Sequence, residues 1–112
     1  QVLLDFQQAW GRYFPGWEAG GDCSLAYHVD CDDQGMVTYM DLGNNTLSGS
    51  IPSIIGNVSN LVTLSLFSNI LSGSIPSTFG YMSRLTYLSL AYNNLTGPIP
   101  STIGYMSSLT YL

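Results

Sequence analysis

Positive charge is almost missing from this chain. Arg12 and Arg84 are its only cations among 112 residues, against seven carboxylates, for a formal net charge of −5. With no basic patch, the chain would be repelled by a nucleic-acid backbone, so nucleic acid is not an expected partner. Long apolar runs are missing as well. Although 46% of the residues are hydrophobic, no stretch approaches the ~18 apolar residues of a membrane span. Charged residues make up only 8%, which leaves Ser, Thr, Asn, Gly and Tyr to supply the wettable surface. No secretory signal opens the sequence, so any leader is expected to have been removed or left out. Histidine occurs once, at His28. It has neither a second histidine for a metal nor a serine or cysteine nucleophile in a recognisable motif, and reads as a surface side chain. Neither enzyme activity nor a cofactor or metal is expected.

Cysteine is scarce too. Cys23 and Cys31 are the only pair, and such a pair reads as a disulfide, a half-built metal site or two free thiols. No Cys-x-x-Cys and no histidine pair accompanies it, which argues against zinc. The disulfide is the favoured reading and carries an oxidising compartment with it.

What the chain does have is repetition. Windows beginning at Val37, Leu61 and Leu85 share one pattern at a period of 24 residues, and a fourth opens at Leu109 and breaks off. Each reads apolar-x-x-apolar-x-Leu-x-x-Asn-x-Leu-[Ser/Thr]-Gly-x-Ile-Pro-x-x-[Ile/Phe]-Gly-x-[Val/Met]-x-x, and the second and third agree at 15 of 24 positions. A fixed period of this length predicts a solenoid, in which each unit buries its core against its neighbours. The organisation expected is an N-terminal cap over 1–36, complete repeats over 37–60, 61–84 and 85–108, and the start of another over 109–112.

Ahead of the repeats, Val2, Leu3, Phe6, Trp10 and Tyr13 fall at helical spacing, predicting a helix within residues 1–14 that Pro15-Gly16 stops. Residues 17–36, rich in Gly and Asp, read as loop. Within each repeat, Val37, Met40 and Leu42 and their equivalents predict a short strand with Met40 and Leu42 turned inward. Asn45, Asn69 and Asn93 follow where the chain turns away. A column of such amides can satisfy backbone groups that the turn would otherwise leave buried and unpaired. Leu47, Leu71 and Leu95 point back to the core, and each Ile-Pro favours an extended segment on the far side.

These repeats resemble the plant-type leucine-rich repeat family, whose 24-residue units carry Leu-[Ser/Thr]-Gly-x-Ile-Pro; the match covers 37–112. Residues 1–36 resemble that family's N-terminal cap, with its opening helix, a Trp, and then Cys…Trp-x-Gly-Val-x-Cys. Val2-Leu3-Leu4-Asp5-Phe6, Trp17, Cys23 and Val29-Asp30-Cys31 fit, while Leu25-Ala26-Tyr27-His28 stand where the usual Trp and Gly would be. The resemblance implies an α/β solenoid: a right-handed stack with a parallel sheet on its concave face, irregular or 3₁₀ segments on its convex face, and a helical, disulfide-bearing cap. Relatives are extracellular: receptor ectodomains, inhibitors of secreted polysaccharide-degrading enzymes, and some ice-binding proteins. One fold carries many functions, so the repeats alone choose none of these.

In such a stack the variable strand positions face concave solvent. Tyr39, Thr63, Tyr87 and Tyr111 form one column and Asp41, Ser65 and Ser89 the next. Phe67 and Tyr92 lie beyond them. Aromatic rings beside small hydroxyls suit a peptide or a sugar ring, and they equally suit plain sheet stabilisation, since Tyr and Thr are good strand formers. The opposite side carries Ser/Thr rows, read as a water-ordering or protomer-contacting surface or as the imprint of duplication. Sequons at Asn44, Asn57 and Asn94 mark glycosylation sites, with Asn44 and Asn94 expected near the concave rim. Asp30 through Gly35, with Asp41 eleven residues after Asp30, approximates a calcium loop. Gln at its fifth position, Asp rather than Glu at its twelfth, and the commitment of Val37 to Leu42 to a strand all argue against it.

Solenoids need a cap at each end. A chain stopping inside a fourth repeat is expected to be a piece of a longer horseshoe or to have its edge, at Leu109, Tyr111 and Leu112, covered by another molecule. The leading expectation is a secreted, non-enzymatic module that recognises a protein, peptide or glycan on its concave face. The alternative is a structural glycoprotein subunit that assembles through that edge.

Overall fold

A computed structural model describes residues 2–17, 23 and 26–112. The cap opens with helix α1, Val2–Trp10. The helix is shorter than the apolar spacing predicts. Gly11 takes the left-handed conformation (φ +61°), and the Arg12 amide donates back to the Gln7 carbonyl at 3.1 Å, the closing bond of a Schellman cap. Gly11, not Pro15-Gly16, therefore stops the helix, and Tyr13 leaves the apolar face to stand 67% exposed. Phe14 takes its place in the core, stacked on Tyr27 (ring centroids 5.5 Å) and tilted against Trp17 (4.7 Å). Both indoles anchor the cap: Trp17 Nε1 donates to the Tyr27 carbonyl and Trp10 Nε1 to the Ser50 carbonyl, each at 3.1 Å.

Part of the segment read as loop is a strand. β1 (Val29–Cys31) pairs antiparallel with β2 (Val37–Asp41) through a turn held by Asp32. The Asp32 carboxylate accepts the amides of Gln34 (2.9 Å) and Met36 (3.0 Å). Cys23 and Cys31 form a disulfide, with Cα atoms 6.1 Å apart.

Beyond β2 the repeats take over. β3 (Thr63–Ser65) and β5 (Tyr87–Ser89) continue the sheet in parallel, giving the order β1-β2-β3-β5, and Tyr111 adds a bridge to Tyr87. Pairing advances one repeat per strand: Tyr39 to Thr63 to Tyr87, Met40 to Leu64 to Leu88, Asp41 to Ser65 to Ser89. Since side chains alternate across a strand, the middle row turns inward, and Met40, Leu64 and Leu88 are fully buried. Each such side chain contributes about 1.5–3 kcal/mol by leaving water.

After each strand the chain turns on its asparagine. A second sheet, β4 (Ser72–Ser74) with β6 (Asn94–Thr96), follows. Then comes an extended Pro and a 3₁₀ helix, at Ser53–Asn57, Ser77–Tyr81 and Ser101–Tyr105. No described helix is long and apolar enough to cross a membrane.

Candidate binding face

The exposed face of the main sheet is built from the two rows that flank the buried one. Strand β1 extends the first of them, because Asp30 pairs with Tyr39; the row runs Asp30, Tyr39, Thr63, Tyr87, Tyr111. The Tyr87 and Tyr111 rings stack almost parallel, at 4.4 Å and 6°. The other row, Asp41, Ser65 and Ser89, lies toward the turn. Past it, Phe67 and Tyr92 meet edge to face at 5.3 Å. A Cβ on Gly43 would come within 3.3 Å of the Phe67 carbonyl, so the glycine keeps this corner open.

Most of the residues expected on this face stand there with accessible surface: Tyr39 is 38% exposed, Phe67 36%, Tyr92 77% and Tyr111 53%, while Asp41, Ser65 and Tyr87 are half-buried. Ser89 departs from expectation. It retains only 6% exposure and so offers little surface of its own. Leu109 is half-buried, and Tyr111 and Leu112 are exposed at the last strand.

A cleft of about 330 Å³ lies in this face, lined by His28, Asp41, Gly43, Asn44, Ser65, Phe67 and Tyr87. His28 and Asp30 were not singled out for this surface by sequence, whereas Gly43 was expected in the same column as Phe67. His28 and Asp30 sit in an Asp-rich stretch, and only the pairing of β1 with β2 brings them to the sheet. The local field is negative. Desolvation chiefly, then the Asp41 and Asp30 charges and a hydrogen bond to Asp41, hold the Tyr39 phenol above its usual range. Desolvation chiefly, then Tyr111 and Asp41, raise Tyr87, against a smaller lowering by Ser89. Neither arginine lines the cleft. Arg12 donates to the Asn45 carbonyl (2.6 Å) and Thr46 Oγ1 (2.8 Å), fastening the cap to the first turn. Arg84 shares a separate depression with Asp32, Asp33, Gln34 and Asn60.

The sequons separate in space. Asn44 borders the cleft, Asn57 is exposed at the end of the first 3₁₀ helix, and Asn94 is exposed at the start of β6 in the second sheet. On the convex side the threonine hydroxyls are used within the fold: Thr78 donates to the Ser53 carbonyl (2.8 Å) and Thr102 to that of Ser77 (2.7 Å). Among the described residues, no group of three or more His, Cys, Asp or Glu side chains is arranged to hold a metal; Asp32 is occupied by backbone amides and Asp30 is turned to the sheet row.

A stack of this geometry, one strand, one asparagine turn and one 3₁₀ helix per 24 residues, defines a class. The chain belongs to the leucine-rich repeat family: leucine-rich repeat models match residues 36–58 and 59–112. Its solved relatives identify the plant-type, right-handed form of the solenoid. It is similar to the PEPR1–AtPEP1 complex (28% identity, TM-score 0.88, covering 99% of this chain and 17% of that one). It is similar to a plant ice-binding protein (28%, TM-score 0.86, 100% and 38%). A third relative is the Arabidopsis receptor kinase HAESA in complex with the peptide hormone IDA and the co-receptor SERK1 (30%, TM-score 0.76, 87% and 17%). The chain thus spans well under two thirds of each of these proteins. No curated protein is similar enough in sequence to match.

Proposed function

We propose that this chain forms the cap-proximal part of an extracellular, non-enzymatic recognition module that holds a peptide segment of a partner on its concave face. The observation that carries the reading is the row of stacked and edge-on rings beside an open cleft, on a sheet whose other face is locked in the core. Rigid aromatic side chains offer large contact area at low entropic cost, and the ladder of backbone bonds beneath them holds the surface in shape without a ligand. The disulfide supports an oxidising, extracellular setting. HAESA, in complex with a peptide hormone, supports peptide as the ligand class.

The test is binding of the chain to a printed array of peptides and cell-wall oligosaccharides, beside a Phe67→Ala/Tyr87→Ala variant, with solution mass by light scattering. Peptide signals lost in the variant at unchanged mass support the proposal. Signals on oligosaccharides alone would move the ligand class to glycans. Loss of self-association in the variant, with no array signal for either protein, would replace recognition by assembly.

A further inference from the structure

The same cleft carries a chemical preference. We infer that the peptide it takes presents a cationic side chain, arginine or lysine, to the Asp41 carboxylate between the rings that line the cleft. This rests on the recognition reading above and specifies its ligand.

Charge placement is the first argument. Of the seven carboxylates in the chain, Asp30 and Asp41 are on the exposed rows of the sheet, Asp30 across from Tyr39 on β1 and Asp41 two residues beyond it on β2. Both arginines are engaged or placed elsewhere. A concave surface with carboxylates and no lysine or arginine draws cations, and low-dielectric walls focus that field into the cleft.

The second argument is the lining. A cation gains from an aromatic face as well as from a carboxylate, and the cleft offers Phe67 and Tyr87 with Asp41 in one lining. Asp41 is pre-positioned: its Oδ1 accepts the Gly43 amide at 3.1 Å. A carboxylate has about four lone-pair directions, so acceptor capacity remains for a guanidinium or ammonium. Ser65 and Asn44, also in the lining, supply neutral partners for the peptide backbone. A neutral sugar ring would use the aromatic faces but gain nothing from the charge.

The experiment is selection of a random linear peptide library displayed on phage against the 112-residue chain. Enriched peptides are resynthesised, once as selected and once with each arginine or lysine replaced by citrulline or norleucine. Both forms are titrated against the chain, Asp41→Asn, and Phe67→Ala/Tyr87→Ala. Asn at this position keeps the oxygen that accepts the Gly43 amide, so the turn is retained; circular dichroism checks each variant.

The expected result is a shared arginine or lysine among the selected peptides. Its neutral replacement and Asp41→Asn should each weaken binding about fivefold, the scale of one exposed cation–π and carboxylate contact. The two changes together should cost little more than either alone. Suppose instead that binding needs Phe67 and Tyr87 but tolerates both neutral replacement and Asp41→Asn. Cation selection is then overturned while peptide recognition stands. Selected peptides indifferent to the aromatic variant would overturn the recognition reading and the inference together.

Discussion

The asparagine that recurs every 24 residues shows how one side chain holds two repeats together. Asn69 is 7% exposed and uses both ends of its amide. Its Oδ1 accepts the backbone amides of Asn45 (3.0 Å) and Leu47 (2.9 Å) in the repeat before it. Its Nδ2 donates to the carbonyls of Leu42 and Leu66, both at 3.0 Å. Asn93 repeats the arrangement one turn on, taking the Leu71 amide at 3.0 Å and giving to Leu66 at 2.9 Å. Asn69→Ala would therefore strand three backbone groups in a dry turn, the Asn45 and Leu47 amides and the Leu42 carbonyl, while the Leu66 carbonyl keeps its bond from Asn93. Each unsatisfied buried group costs about 1–3 kcal/mol, and water entry at the turn recovers part of that. Urea titration of the variant should show a loss of about 3–5 kcal/mol; a loss within the ±0.5 kcal/mol of an ordinary surface change would mean that the ladder is not the joint between repeats. The period alone makes the asparagine column legible. Its partners are not, because they belong to the previous repeat and depend on how closely the units stack.

At the scale of elements, that closeness is set on the convex side. The 3₁₀ helices lie against one another, with Gly56 of the first facing Thr78 of the second and Gly80 facing Thr102 of the third. A Cβ built on Gly56 would meet the Thr78 carbonyl oxygen at 2.6 Å, and one on Gly80 would meet Thr102 Cβ and its carbonyl oxygen at 2.8 Å; on Gly104 it would meet nothing within 4 Å in this chain. These three glycines are the same letter at the same place in the repeat, yet they should respond differently. Gly56→Ala forces the helices apart and should cost about 1–3 kcal/mol, the usual range for overpacking, whereas Gly104→Ala should change the thermal midpoint little or raise it slightly. Paired melts of the two variants check this, and equal effects would refute the close-approach account. Strand β1 and the second sheet were not visible in sequence for a related reason. Val29–Cys31 and Ser72–Ser74 are three residues each, and the latter is exposed throughout, so neither has the apolar alternation by which a strand is recognised. Backbone bonds such as Ser72 to the Gly49 carbonyl, 2.8 Å, make the second sheet once the stack exists.

Taken whole, the molecule is a nearly one-dimensional stack whose first unit is protected by the cap. Phe6, Trp10, Phe14 and Trp17 are at most 2% exposed, and β1 completes the edge of β2. In such a stack stability is a sum of units and interfaces, so loosening the cap exposes the first repeat. The disulfide ties Cys23 to Cys31 across a sequence separation of 8 and so closes a short loop that includes part of β1. Chain-entropy scaling puts its contribution at about 2–3 kcal/mol. Cys23→Ser/Cys31→Ser should lower stability by about that much, and hydrogen exchange should quicken first in β1 and β2, leaving β5 protected. Uniform loss of protection along the stack would show instead that the cap and repeats open as one unit.

The sequence by itself determined the solenoid: a 24-residue period with leucine at fixed places buries its core only by stacking like on like, and the asparagine, glycine and Ile-Pro positions follow from that one requirement. It also placed Tyr39, Tyr87 and Phe67 on the exposed strand positions, because a strand of known inward residues leaves its alternate residues outside. Only the tertiary structure decided that Ser89 is covered and that Asp30 and His28 join the sheet. Those outcomes depend on the packing of neighbouring side chains and on a short hairpin, contacts between residues that no period relates.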